Sequence, residues 1–100
     1  MESVKTLLSF SAYLKDEEER TPFSFSVLEP QPEDEYSAYC VVSCPFLLKK
    51  ETNIYGADKK QAIALSMDFI ADMLGERVGA LIDEAGNSVS LPNLPSWTDD

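Results

Sequence analysis

The chain has 100 residues, enough for one domain with a single core. Acidic residues number 18 against 8 basic ones, a net charge of −10, which argues against a basic face for nucleic acid or anionic membrane and favours a basic partner. The chain has no histidine, which removes the commonest general base, histidine-based triads and most zinc hydrolases, and no apolar run approaches the ~18–20 residues of a membrane span.

In chain order, residues 7–14 alternate Leu8, Phe10, Ala12 and Leu14 against Ser9, Ser11 and Tyr13, the period-two pattern of a half-buried strand. A charged turn follows at 15–20. Residues 21–28 alternate again, with Phe23, Phe25 and Val27 opposed to Ser24 and Ser26. Residues 29–35 carry two prolines and four acids and read as a loop. A third strand spans 36–44, with Ala38, Cys40, Val42 and Cys44 on one face and Ser37, Tyr39, Val41 and Ser43 on the other. Pro45 ends it or marks an edge. Residues 52–55 form a short fourth strand. Gly86 and Asn87 mark a turn, residues 89–91 suggest a brief strand, and 92–100 read as an extended tail of the single domain 1–100.

The chain is organised around a helix predicted at 58–74. Asp58 and Gln61 fit a capping box, and Gly56 is expected to let the chain turn sharply out of the preceding strand. At 100° per residue, Leu65, Phe69, Ala62, Met73, Ser66, Ile70, Ile63, Leu74 and Met67 fall on one arc. That arc is wider than one sheet contact needs, so its shoulder should meet the C-terminal segment or a second chain. Gly75 reads as the helix stop, although Val78, Leu81 and Ile82 keep helical spacing and allow continuation to about Asp83.

Short turns between strands imply an antiparallel meander of about four strands with the helix on one face, an α+β fold. Phe25, Cys40 and Phe69 should then be buried together. The opposite face collects Ser9, Ser11, Ser24, Ser26, Ser37 and Ser43 with Tyr13, Tyr39 and Val41. It is either an ordinary solvated face or a flat contact face with tyrosine anchors. Cys40 and Cys44 on one strand would stand ~13 Å apart, beyond the ~7 Å reach of a disulfide, and read as buried free thiols. A cytoplasmic location agrees with that chemistry.

Two acidic runs stand out as candidate partner-binding groups: Asp16, Glu17, Glu18 and Glu19 at the first turn, and Glu33, Asp34 and Glu35 at the second. A meander puts them at opposite ends of the sheet, with Lys49 and Lys50 near the first run and Lys59 and Lys60 near the second. Charge runs are often solvated turns, and the alternative is that they complement a basic surface. Neither run has the spacing and central glycine of an EF-hand, so no metal or other cofactor is expected. There is no GxGxxG, no GxxxxGK[ST] and no activated cysteine, so the chain reads as a non-enzyme.

Cys44 and Pro45 at a strand end, followed by Ile54, Gly56, Asp58, Gln61, Ala62, Leu65, Phe69 and Ile70, resemble a small bacterial sheet-and-helix domain of unknown function, in roughly the middle third of the chain. The resemblance implies the fold and a bacterial source and brings no catalytic residues. In size, acidity and lack of catalytic groups the chain is also similar to bacterial toxin-immunity proteins, many of which neutralise basic nucleases. The expectation is a protein-binding module that docks through Asp16–Glu19, Glu33–Glu35 or Tyr39. The other expectation is a homo-oligomeric accessory protein, a homodimer in the simplest case.

Overall fold

Period-two alternation becomes sheet almost everywhere it occurs. In the computed structural model, which describes residues 5–93, β1 (Thr6–Asp16) and β2 (Glu19–Leu28) pair antiparallel along their whole length. Only Glu17 and Glu18 turn between them, a tighter connection than the turn expected at 15–20. Past a bulge between Thr6 and Leu8 the ladder resumes, with the Glu29 N–H donating to the Lys5 carbonyl at 2.8 Å. β4 (Ser37–Ser43) pairs with β2 through Ser26↔Ser43 and Val27↔Val42, and β5 (Thr52–Gly56) lines the opposite edge of β4.

The sheet has six strands where four were expected. The segment read as a loop contains β3 (Gln31–Asp34), which pairs with β4 beside the end of β2. β2 and β3 thus behave as one long strand bent at Glu29 and Pro30. Pro32 opposes Ala38 on this outer strand, where a missing N–H leaves no ladder broken. The sixth strand, β6 (Leu81–Ile82), pairs with Tyr13 and Leu14 on the far edge of β1.

The helix α1 spans Lys59–Leu74 with Asp58 as its N-cap, the Asp58 carboxylate accepting from the Gln61 N–H at 2.8 Å. Gln61 reaches back to accept from the N–H of Ala57, one residue before the cap. Gly75, at φ 56°, ends the helix, and its N–H donates to the Ala71 carbonyl. The chain continues as a 3-10 helix, Gly75–Ala80, so the α-helix does not run on to Asp83. Arg77 supports the helix end, its guanidinium donating to the Met73 and Leu74 carbonyls at 3.3 and 3.4 Å. No α-helix among the described residues is long and apolar enough to cross a membrane.

The core lies between α1 and the face of the sheet that carries Phe23, Phe25, Val27, Cys40 and Val42. Burying Ile63, Ile70 and Leu74 against it contributes about 1.5–3 kcal/mol each. The buried residues of the helix, Ala62, Ile63, Ser66, Ile70 and Leu74, all fall within the expected arc, but not all of the arc is buried. Leu65 and Met73 remain 39% and 38% exposed, and Phe69 is only half-buried at the rim of the core. The periodicity defined an arc wider than the contact, and packing on β4 and β5 selected one side of it.

Gly56 also serves a different purpose from the one expected. Its φ is not in the left-handed region. A Cβ there would come 2.5 Å from the Ala62 nitrogen and 2.9 Å from the Ala62 Cα and the Gln61 carbonyl carbon. The residue is small because the helix backbone lies directly against the end of β5. Residues 89–91 form no strand, although a single bridge joins Ile82 to Ser88. The expected tail lies outside the described residues from Leu94 onward.

Candidate functional site

Alternation along four strands leaves one sheet face uncovered by α1. Serines 9, 11 and 24 on it are exposed, and serines 26, 37 and 43 are partly so. Among them stand three tyrosines. Tyr39 and Tyr55 are directly opposed across β4 and β5, with ring centroids 5.6 Å apart at 42°. Tyr55 is half exposed, so the pair offers a broad apolar surface ending in two hydroxyls. Asn53 flanks it, its side-chain amide 3.5 Å from the Tyr55 hydroxyl.

Tyr13 lies toward the hairpin tip. The Arg20 guanidinium sits 5.5 Å above its ring and donates to the Glu84 carbonyl at 2.9 Å. That contact ties the turn after β6 to the hairpin. The turn is closed locally, with the Asp83 carboxylate accepting from the Asn87 N–H at 2.9 Å and the Gly86 N–H donating to the Asp83 carbonyl. Together these segments enclose an open groove of about 650 Å³, floored by Ser11, Tyr13, Pro22 and Ser24 and walled by Asp83, Glu84 and Ala85.

The acidic runs fall at opposite ends of this face, because β2 and β3 run in one line between them. Asp16 and Glu19 oppose each other at the end of the β1–β2 hairpin, with Glu17 and Glu18 between them. Like charges directly opposed destabilise a strand pair, and Glu17 adds a left-handed φ of 51°. At the other end Glu33, Asp34 and Glu35 are all exposed. Asp34 has a local task as well. Its carboxylate accepts from the Tyr36 N–H at 2.8 Å and the Ser37 hydroxyl at 3.0 Å, closing the turn into β4. These hydrogen bonds hold the Asp34 carboxyl below its ordinary range, and the Asn87 bond does the same for Asp83.

No family model matches the chain, and neither a curated protein nor a solved structure matches it. The site is therefore read from its own geometry. Of the expected residues, Tyr39 stands mid-face and the two acidic runs stand at its ends, so the structure does not gather them into one cluster. Sequence reasoning did not single out Tyr55, which period two along residues 52–55 would have placed beside Tyr39. The Tyr13–Arg20–Glu84 contact had no sequence signal, since Glu84 is distant along the chain. Among the described residues no group of three or more His, Cys, Asp or Glu side chains could hold a metal ion. Both cysteines are free and buried, Cys44 just past the end of β4.

Proposed function

We propose that the protein is a non-catalytic module that binds another protein through the uncovered sheet face. A basic partner suits it best, and neutralisation of a basic toxin in a bacterial cytoplasm is the concrete form of the reading. One observation carries it: the Tyr39–Tyr55 pair, Tyr39 partly and Tyr55 half exposed, lies on the β4–β5 side of a face of small side chains that has carboxylates at both ends. Aromatic anchors among small residues suit a well-packed interface centre, and charges at the rim steer encounter.

The test is a pull-down from the source organism with tagged protein at low and high salt, followed by rate measurements on variants. Neutralising Asp16, Glu17, Glu18 and Glu19 together should slow association without unfolding the domain. For the other end, Glu33→Gln, Asp34→Asn and Glu35→Gln keep the acceptor that Asp34 needs for its turn. Tyr39→Ala and Tyr55→Ala should each raise the off-rate. Equal binding by all these variants at every salt concentration would reject the reading. A second reading, self-association through the helix shoulder, has the exposure of Leu65 and Met73 in its favour.

A further inference from the structure

Four strand edges stand open among the described residues, and they are not equivalent; the outer edge of β3 carries Pro32, Glu33 and Asp34. The edge of β2 over residues 19–25 carries Glu19, Arg20 and Pro22. The free edge of β5 is short and follows Lys49, Lys50 and Glu51. Charge, proline and brevity are the usual means of blocking edge-to-edge pairing. The outer edge of β1 has none of these three, and its one irregularity is the bulge between Thr6 and Leu8. β6 pairs only with Tyr13 and Leu14, and the Asp83–Ala85 turn lies beside Ser11 and Ala12, so among the described residues no strand pairs with residues 6–12 on that side, and they include no charged residue and no proline.

The core is incomplete along the same stretch. The core-facing Leu14, opposite β6, is 5% exposed, and Ala12, beside the Asp83–Ala85 turn, 8%. Phe10 and Leu8, on the same face beyond β6, are only partly buried although they pack on the core. An uncharged, unblocked edge with an unfinished apolar face calls for another strand of like character.

We propose that this strand is β1 of a second copy of the chain, paired antiparallel about a two-fold axis normal to the sheet. Antiparallel pairing of a strand with itself is symmetric by construction, so one edge serves both partners. Core side chains stay on the core side only if paired residues share parity along the strand. Pairing over residues 7–11, short of the Asp83–Ala85 turn beside Ala12, is centred on Ser9. Ser9 then faces Ser9, and Leu8 faces Phe10, closing the gap in both cores. The same register carries Lys5 of each copy toward the end of the window where the Asp83–Glu84 turn of the other begins, a favourable pairing of charge. One strand pair is a small interface, so the dimer should be weak and depend on concentration.

The test combines sedimentation over a range of concentrations with cross-linking of single-cysteine additions. The native thiols are buried, so Ser9→Cys should dominate oxidation and yield a covalent dimer. Ser24→Cys, also exposed on the same face but on β2 and so away from the β1 edge, should not. Ser9→Lys opposes two ammonium groups across the axis and should weaken the dimer at least about tenfold, with its melting curve otherwise that of a folded monomer. Three results would overturn the proposal: a wild-type chain that is monomeric at every concentration, a dimer that cross-links through Ser24→Cys and not Ser9→Cys, or a Ser9→Lys dimer of undiminished strength. A monomer that dimerises only after residues 94–100 are removed also overturns it and would give the edge to the chain's own end.

Discussion

Gly56→Ala should be among the most damaging single-methyl additions in the molecule. The new Cβ would lie 2.5 Å from the Ala62 nitrogen and 2.9 Å from two further atoms of the helix backbone. Carbon contacts are comfortable at ~3.5–4.0 Å, so the helix start or the end of β5 must move by about 1 Å. Neither is free to do so. Gly56 is paired with Ala38, and the first turn of α1 is held by Asp58 and Gln61. Overpacking of this kind costs about 1–3 kcal/mol, and disturbing the cap adds about 1 kcal/mol. The smaller unfolded-state entropy of alanine returns about 0.4–1 kcal/mol. A net loss of about 2–3 kcal/mol should lower Tm by about 8–24 °C in a domain of this size. Gly79→Ala is the control, because a Cβ there meets nothing within 4 Å. Thermal melts followed by circular dichroism decide the matter. If Gly56→Ala melts within a few degrees of wild type, the close approach of β5 to the helix is not what this position requires.

Ile70→Ala should cost about 2–5 kcal/mol, and Phe69→Ala clearly less, because Ile70 is fully buried and Phe69 only half; urea titration of both variants tests the helical phase. Cys40 and Cys44 should react slowly with a thiol reagent in the native state and quickly in denaturant, since burial pushes both thiols up from their ordinary pKa. A raised folded-state pKa adds stability below the unfolded thiol value and loses it as pH climbs toward the folded one, so replacing both cysteines by alanine should flatten the alkaline limb of the stability profile. Asp34 and Asp83 work in the opposite sense. Their depressed folded-state pKa values contribute stability above the ordinary carboxylate range that disappears as pH falls through the folded value, so the double variant Asp34→Asn, Asp83→Asn should have a shallower acid limb in pH-dependent melts.

Where one physical rule acted alone, the sequence was legible. Strict alternation in β1, β2 and β4 placed Phe23, Phe25, Cys40 and Val42 in the core and the serines outside. Asp58, Gln61 and Gly75 marked the helix ends through local capping chemistry. Rules in competition hid the rest. Two prolines and four acids outweighed pairing in residues 29–35, yet β4 offered an outer edge on which proline is tolerated. Gly56 reads the same in a sequence whether it turns the chain or admits a helix, and only the packing distinguishes the two. Leu65 carries the size and hydrophobicity of a core residue, but it stands at the margin of the apolar arc and stays 39% exposed. On the candidate face, Tyr39 was legible by parity, whereas the Tyr13–Arg20–Glu84 contact depends on β6, whose two residues give no strand signal of their own.

The edge of β1 and the sheet face are separate surfaces, and this separates the two kinds of association proposed for them. A two-fold axis normal to the sheet leaves both outer faces on the same side, so a dimer would present two Tyr39–Tyr55 pairs on one continuous surface. Salt should act on the two events with opposite signs. Two copies of a chain with net charge −10 repel each other, and salt screens that repulsion over ~8 Å at physiological strength, so self-association should strengthen as salt rises. Docking of a basic partner draws on the same charge in the other direction and should weaken. Ser9→Lys should therefore weaken the salt-promoted association, and because Ser9 also stands on the sheet face its added charge should slow the encounter of a basic partner while leaving that partner's off-rate unchanged. Tyr39→Ala should raise the partner's off-rate and leave self-association intact. If Ser9→Lys also raises the partner's off-rate, or Tyr39→Ala also weakens self-association, edge and face are not independent, and a single surface must account for the association of this protein.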